Sequence, residues 1–235
     1  MSIETEITRI NNNIAAAYTA ASGKGATLPE TENSANLATC IGSISGGGGS
    51  KYALLDRVKD DSNNEIGTVS GFFTDSNNVE YAVVCLDATY RKNSAQWTSI
   101  QSNVTMPVYA DWTIWEAPET ATENTQLILD WCAANSRTSP ACTHCRQYSF
   151  TISGTTYYGQ LPNIIELVDI AKHRTAINAA DTSGGSITIG NNNGCWASNQ
   201  FSTSNGWFIY NMGDASSYSK SNPGYVYPVL EIPNV

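Results

Sequence analysis

The sequence predicts an α+β fold, in which an N-terminal helix precedes a head with two helices and many short antiparallel strands. Three observations support this prediction. The first twenty residues carry apolar side chains at helical spacing, two later segments combine helix-start signals with apolar faces, and the rest alternates short apolar runs with turn residues. At 235 residues and 41% hydrophobic composition, the chain can form one ordinary domain plus a short extra element.

The N-terminal segment predicts an amphipathic helix with a heptad seam, because its apolar residues are separated alternately by four and three positions. Isoleucine at both seam positions favours three or four strands over two, so the segment predicts a homotrimeric coiled coil. An amphipathic helix that packs on its own globular domain is the alternative. The predicted oligomerisation residues are Ile3, Ile7, Ile10, Ile14, Ala17 and Ala21.

The residues that follow divide the chain. Gly23, Gly25 and Pro29 are predicted to end the first helix. A second short apolar pattern follows between Asn33 and Ile44, and the glycine run from Gly46 to Ser50 predicts a flexible linker. We therefore predict an oligomerisation and attachment segment over residues 1–45, a linker over 46–50 and a head domain over 51–235.

Within the head, local patterns predict most of the elements. Strands are predicted over 52–58, 66–73 and 81–86, and a hairpin over 147–158 around Ser153 and Gly154. One helix is predicted to open at Thr122, with Leu127, Ile128, Trp131 and Cys132 on its inner face. A second is predicted to start at Pro162, and everything after Asp181 reads as short strands and loops.

Residues 191–225 have an unusual composition. Seven of these residues are Asn, seven are Ser, four are Gly and three are Tyr, and only Asp214 and Lys220 carry charge. Rigid aromatic rings among small polar residues are typical of antibody-like contact surfaces, because the rings provide area at a low entropy cost. An ordinary polar, loop-rich β region is the alternative, since Asn, Ser and Gly also form turns.

Ordered motifs between Gly159 and Val229 resemble a bacterial and phage family with a C-type-lectin-like fold, which is also the fold of formylglycine-generating enzymes. The motifs are Gly159-Gln160-Leu161-Pro162, Glu166-Leu167, Ile177-Asn178, Trp196-Ala197-Ser198, Asn205-Gly206-Trp207 and Tyr225-Val226-Tyr227-Pro228-Val229. The sequence departs from the family pattern at Ala197, Asn199 and Tyr227. The segment around Lys24–Pro29 and Cys40–Ile44 also resembles parts of phage tail and fibre proteins.

This resemblance implies a variable protein of a diversity-generating retroelement, of the major-tropism-determinant type, in which adenine-directed mutagenesis varies a contact surface on a constant scaffold. The implied scaffold residues are Trp196, Ser198, Trp207, Gly213, Tyr225 and Val229. The implied exposed contact residues are Asn199, Gln200, Phe201, Ser202, Ser204, Asn205, Tyr210, Asn211, Ser216, Ser217, Tyr218, Ser219 and Asn222.

Charge and local motifs narrow the classes of function. With a net charge of −9 and no Lys/Arg run, nucleic acid is not an expected partner, because phosphate binding needs clustered cations. Met1 to Glu6 lack the pattern of a signal peptide, so we expect synthesis in a bacterial host cytoplasm. We also expect no membrane insertion, because no run approaches about 20 apolar residues. Without a secretion signal, free thiols are the expectation for the six cysteines.

No local pattern identifies a catalytic or metal centre. The sequence holds two histidines and no Gly-x-Ser-x-Gly elbow, phosphate loop or dinucleotide fingerprint. Cys132, Cys142, His144 and Cys145 could supply four zinc ligands, but the spacing is atypical and plain thiols in a loop are favoured. The triplets with which C-type lectins bind calcium are missing, so no cofactor is expected.

Taken with the resemblance, these observations predict a non-enzymatic virion protein, located on a tail or head fibre, that binds a bacterial surface protein or glycan. Its N-terminus is expected to join other virion proteins. Two alternatives stay open at this point: a connector or decoration protein that binds only other virion proteins, and a surface-degrading depolymerase whose carboxylates pair only in space.

Overall fold

The computed structural model describes residues 3–22, 28–42, 51–101, 103–109, 119–187, 194–210 and 214–234. The chain divides into two compact units. One comprises residues 1–51 with 234–235, and the other comprises residues 52–233. The glycine run of the predicted linker lies outside the described residues, and the predicted domain limits stay predictions.

The N-terminal unit is a pair of helices, α1 (Ile3–Ser22) and α2 (Ser34–Gly42). Tyr18, Ala21 and Cys40 form its buried core, and the Tyr18 hydroxyl donates to the Asn33 carbonyl at 2.8 Å. Ile14 and Leu37 pack against this core. The C-terminal half of the predicted seam is therefore covered within the chain, because α2 supplies its own apolar side chains.

The N-terminal half of the seam has a different environment. Ile7 is 54% exposed and Ile10 is 46% exposed, whereas Ala17 is half-buried and the side chain of Ile3 lies outside the described residues. The oligomerisation prediction thus stays open for Ile7 and Ile10 and is corrected for Ala21, which belongs to the intrachain core. None of the described helices is long and apolar enough to cross a membrane.

Within the described residues, the head unit contains two sheets and a separate hairpin. The first sheet is antiparallel, with the order β1-β2-β3-β11, and the second has the order β4-β10-β7-β8-β9, in which only β10 and β7 pair in parallel. The hairpin pairs β5 with β6. The strands are β1 (Arg57–Lys59), β2 (Glu65–Thr74), β3 (Glu80–Leu86), β4 (Lys92–Gln96), β5 (Ser149–Ile152), β6 (Thr155–Tyr158), β7 (Cys195–Gln200), β8 (Asn205–Tyr210), β9 (Asp214–Ser219), β10 (Pro223–Val226) and β11 (Val229–Pro233).

The described part of the head also contains three α-helices, not the predicted two: α3 (Ala121–Ala134), α4 (Pro140–Arg146) and α5 (Ile164–Ala180). The α5 helix starts with a capping box, in which Asn163 accepts from the Glu166 amide and Glu166 accepts from the Asn163 amide. The missed helix, α4, has only seven residues. Its Ser139 cap and its proline at the first position are ordinary start signals, but too little periodic sequence follows to reveal the helix.

Two local predictions are corrected. The segment from Tyr52 was predicted as a strand, but the strand begins at Arg57, because the Asp56 carboxylate accepts from the Ala53 amide at 2.7 Å and closes a turn. Leu127, predicted on the inner face of α3, is 39% exposed, whereas Ile128 and Cys132 are buried. The hairpin around Ser153 and Gly154 forms as predicted, with positive φ at both residues.

The second sheet is buried on both sides. Trp207 and Ile209 pack into a core with α5 residues such as Ile164 and Leu167. Trp196 and Phe208 pack into a separate core with Ile128 of α3 and Cys142 of α4. Alternate residues of β7 and β8 thus serve two cores, and β9 forms one edge of this sheet. The predicted α+β class, with many antiparallel strands, is confirmed.

Candidate binding surface

Buried tryptophans hold the C-terminal segment to distant parts of the head. The Trp97 indole donates to the Ala197 carbonyl at 2.7 Å, and the Trp196 indole donates to the Ala95 carbonyl at 2.9 Å. Both rings have no exposed surface. These reciprocal bonds connect the end of β4 to β7 across the intervening β10. Their acceptors are backbone carbonyls, so the bonds do not depend on which side chains the surface carries.

Trp207 supplies a third such bond, from its indole to the Tyr109 carbonyl at 2.7 Å. The predicted scaffold residues Trp196, Ser198, Trp207 and Val229 are all buried, and Tyr225 is half-buried. Gly213 lies outside the described residues. The positions of the five described residues fit a scaffold role, which stays a prediction.

Lys220 is fully buried within the polar segment. Its Nζ donates to the Thr203 carbonyl at 2.9 Å and to Gln200 Oε1, and it lies 4.8 Å from the centroid of the Trp97 ring. Its own amide donates to the Ser204 carbonyl at 3.0 Å. Burial lowers the pKa of Lys220 to about 7. The lysine therefore fixes the turn between β7 and β8 against the end of β9.

Two of the predicted contact residues are buried, which corrects the prediction that they are exposed. Asn199 Oδ1 accepts from the Ile164 amide at 2.8 Å, so it satisfies an orphan donor in the first turn of α5. Gln200 Oε1 accepts from the Val104 amide at 3.0 Å, and its Nε2 donates to the Val104 carbonyl at 3.2 Å. Because Asn199 is 1% exposed and Gln200 has no exposed surface, both amides support the fold.

The other described candidates reach the surface to different degrees. Ser216 is exposed, and the rest are half-buried. Asn211 lies outside the described residues. The half-buried candidates are Phe201, Ser202, Ser204, Asn205, Tyr210, Ser217, Tyr218, Ser219 and Asn222.

These candidates do not form one surface, because the register of β8 and β9 divides them between the two faces of the edge hairpin. Tyr218 pairs with Gly206, and therefore lies on the same face as Tyr210 and Ser216. Asn205, Ser217 and Ser219 lie on the opposite face. The face that carries Tyr210 and Tyr218, which we call the aromatic face, is thus distinct from the face that carries Asn205, Ser217 and Ser219.

The first face carries a connected aromatic cluster. Phe208 stacks on Tyr218 with centroids 4.9 Å apart, and packs edge-on against Tyr210 at 4.7 Å and Trp196 at 4.6 Å. On the opposite side of the hairpin, Phe201 packs edge-on against Trp207 at 5.2 Å. Burial raises the pKa of Tyr210, and the neighbouring Tyr218 raises it further, so its hydroxyl stays protonated at neutral pH.

A pocket of about 240 Å³ lies beside this cluster. Phe208, Tyr210, Tyr218 and Tyr225 supply its aromatic walls, which we call the aromatic pocket. Asn93 and Ser94 of β4 supply its polar rim, and the remaining lining residues are two glycines and a proline. Sequence reasoning missed Asn93 and Ser94, because they lie nearly one hundred positions before the polar segment and the sheet order β4-β10-β7 is needed to bring them near it.

Elsewhere in the head, two carboxyl side chains lie together in the interior. Glu231 accepts from the Ala121 and Thr122 amides at 2.7 and 2.8 Å, at the start of α3. Glu166 is 2% exposed, and burial raises the pKa of its carboxyl well above the usual range, with the Glu231 charge as a second cause. These bonds place the pair at the starts of two helices, where both carboxyl groups act as structural acceptors.

The zinc hypothesis finds no geometric support. Across the described residues, no group of three or more His, Cys, Asp or Glu side chains is placed to hold a metal ion. Cys142 and Cys145 lie in the core on α4, not in a loop, and His144 Nε2 contacts the Tyr90 carbonyl at 2.8 Å. All six cysteines are free and buried. Burial raises the pKa of Cys142 to about 12, so this thiol stays protonated.

No protein-family model matches this sequence, and no curated protein is significantly similar to it. Among solved structures, the fold is similar to that of a fimbrial protein from Bacteroides ovatus ATCC 8483, with a TM-score of 0.51 and 13% identity. The similarity covers 77% of this chain and 49% of the fimbrial protein, so the chain spans about half of that protein's length. At this identity the likeness shows the fold alone. The resemblance to lectin-like phage proteins rests on its motifs.

Proposed function

We propose that this protein is a non-enzymatic attachment protein whose head binds a receptor on a bacterial cell surface through the β8–β9 hairpin. The aromatic face of that hairpin carries the proposal. Tyr210 and Tyr218 are half-buried beside a pocket, and buried groups that bond to backbone carbonyls fix the strands beneath them. Rigid aromatic groups of this kind provide binding area at a low entropy cost.

The proposed location is a virion fibre, and the proposed state is a homotrimer. The motif resemblance to phage proteins supports the location, and the exposed isoleucines of α1 support the trimer, since Ile7 and Ile10 keep seam spacing outside the intrachain core. Three heads would add avidity to a weak single contact. A double variant Ile7→Glu/Ile10→Glu is expected to be monomeric by sedimentation, whereas a monomeric wild type would contradict the trimer.

Mutation of the two hairpin faces tests receptor binding. Tyr218→Ala and Phe201→Ala remove aromatic groups from opposite faces, and Tyr158→Ala removes a 51% exposed tyrosine from β6 as a matched control. In adsorption assays on a panel of bacterial strains, we expect at least one hairpin variant to lose binding while it still assembles. If both variants adsorb normally but fail to join virion particles, the protein is a connector.

Retroelement diversification remains a separate part of the proposal. The Asn-, Ser- and Tyr-rich composition of residues 191–225 agrees with mutation of adenines in Asn codons. The source genome is then expected to hold a near-copy of this segment beside a reverse transcriptase gene. A genome without such a copy would contradict diversification and leave receptor binding unaffected.

A second candidate is a fimbria-type surface subunit. The fold similarity to a fimbrial protein favours it, because that likeness extends over 77% of this chain. Localisation separates the two candidates. Immunogold labelling of purified phage particles would support the virion protein, whereas labelling of bacterial surface filaments would support the fimbrial subunit.

A further inference from the structure

The aromatic pocket has a lining whose chemistry identifies a class of ligand. None of its nine lining residues carries a charge, although 14% of the chain is charged and its net charge is −9. An anionic or cationic ligand group would therefore lose its hydration without gaining a counter-charge in the pocket, which is costly. The lining favours a neutral ligand.

The apolar part of the pocket is almost entirely aromatic. Phe208, Tyr210, Tyr218 and Tyr225 are among the lining residues, and the described part of the chain contributes no Leu, Ile, Val or Met to the lining. The face of an aromatic ring carries partial negative charge, so it attracts the polarised C–H groups of a sugar ring. Aliphatic side chains would suit an apolar peptide anchor equally well, but Pro223 is the one such residue among the described residues of the lining.

The rim supplies neutral hydrogen-bonding groups. Asn93 offers an amide, which both donates and accepts, and Ser94 and the three tyrosines are of types whose hydroxyls can do the same. Sugar hydroxyls also donate and accept, so each can pair with such a group. An aromatic wall thus matches the C–H face of a pyranose ring, and an amide and hydroxyl rim matches the hydroxyls around its edge.

Size limits the ligand to a single ring. The pocket volume of about 240 Å³ lies below the roughly 300–1,000 Å³ of sites that enclose drug-sized molecules. Its floor is built by close packing: a Cβ on Gly194 would lie 1.7 Å from Phe208 Cε1, and one on Gly224 would lie 2.5 Å from Phe208 Cε2. The Phe208 ring therefore lies directly against two stretches of backbone and cannot retreat to admit a larger group.

We propose that the aromatic pocket binds one neutral pyranose residue of a bacterial surface glycan, by packing its C–H groups against Tyr210 and Tyr218 and by hydrogen bonding to Asn93 and Ser94. This inference deepens the proposed function and rests on it for its biological setting. No calcium ion takes part, since the rim alone supplies the polar partners. One ring binds weakly, with Kd of about 1 mM.

Saturation-transfer NMR on the full chain tests the site directly. The probes are the methyl β-glycosides of glucose, galactose and N-acetylglucosamine, with methyl glucuronide as the charged comparison. We expect at least one neutral glycoside to bind and the glucuronide to bind more weakly. Tyr210→Ala and Tyr218→Ala are each expected to weaken binding about tenfold, because each removes one stacking wall.

Controls separate a binding defect from misfolding. Tyr158→Ala is expected to bind the glycoside like the wild type, and Asn93→Asp adds a charge to the rim with little change in volume. Asn93→Asp is expected to weaken neutral glycoside binding, with an unchanged thermal transition. Equal binding by the wild type and both pocket tyrosine variants would place the glycoside elsewhere and overturn the proposal.

Cell adsorption distinguishes failure of this inference from failure of the proposed function. If the wild type adsorbs to cells but shows no signal with any neutral glycoside at ~50 mM, and protease treatment of the cells abolishes adsorption, the ligand is a protein. The glycan inference then fails and attachment stands. If a glycoside binds in the pocket but no strain is adsorbed, attachment fails and the glycan site stands.

Discussion

Gly224→Ala is a sharp test of the packing beneath the aromatic pocket. A Cβ at this position would lie 2.5 Å from Phe208 Cε2, 2.7 Å from Trp196 Nε1 and 2.9 Å from Trp196 Cδ1. Phe208 is 2% exposed and Trp196 has no exposed surface, so a methyl group on Gly224 would have to displace at least one of these packed rings. Overpacking of this kind costs about 1–3 kcal/mol. If Trp196 also moves away from the Ala95 carbonyl, the buried acceptor adds about 1–3 kcal/mol.

With both contributions, the expected loss is therefore about 2–6 kcal/mol of the free energy of unfolding, or about 4–24 °C in Tm for a unit of this size. Urea denaturation followed by tryptophan fluorescence measures it, and near-ultraviolet circular dichroism reports the aromatic cluster. Gly206→Ala is the matched control on β8, because its nearest contact would be 3.3 Å away. A Gly224→Ala protein within about 0.5 kcal/mol of the wild type would refute the reasoning.

Three further predictions concern buried polar groups. Glu166→Gln keeps the acceptor of the capping box but removes an ionisable group. The pKa of Glu166 is raised in the fold, so the free energy of unfolding of the wild type falls as the pH rises through that pKa. The variant is expected to gain about 1 kcal/mol or more at pH 8 in urea denaturation, and an unchanged pH profile would contradict this. Lys220→Met tests a pH dependence of stability with the opposite sign. The folded pKa of about 7 lies below the unfolded value of about 10.4, so wild-type stability rises between these values and the variant should flatten that rise in the same assay. Gln200→Ala leaves the Val104 amide without its buried acceptor and is expected to cost about 1–3 kcal/mol in thermal unfolding; a smaller loss than for Ser216→Ala would argue against a structural role.

Local sequence signals predicted the elements whose stabilising contacts are themselves local. The α5 helix carries its capping box within four residues, from Asn163 to Glu166, and the β5–β6 hairpin has its turn residues between the strands. In contrast, the short helix α4 is stabilised by burial of Cys142 and Cys145 in a core that it shares with α3 and the second sheet. That burial depends on tertiary packing, which periodicity over seven residues does not reveal.

The surface positions of the candidate site were predictable only in part, for the same physical reason. Composition indicates a polar, aromatic segment, but an amide side chain contributes equally to composition whether it faces solvent or a buried backbone group. Asn199 and Gln200 have partners 35 and 96 residues away in sequence, at Ile164 and Val104. The alternation of β8 and β9 was also needed to divide the remaining candidates between two faces.

The division between a buried frame and an exposed surface would allow the surface residues of this segment to be substituted without loss of the fold. The groups that fix its backbone donate to carbonyl oxygens: Trp97 to Ala197, Trp196 to Ala95 and Lys220 to Thr203. A carbonyl acceptor is present whichever side chain a residue carries, so these bonds do not depend on the identity of neighbouring exposed residues. Ser216 lies on the edge strand with its side chain in solvent. Substitution there is expected to alter binding and to change the free energy of unfolding by no more than about 0.5 kcal/mol. In contrast, a methyl group on the buried Gly224 leaves every surface side chain intact and disrupts the buried packing. We therefore expect stability and binding to be separable by mutation in this head, as the proposed attachment function would require.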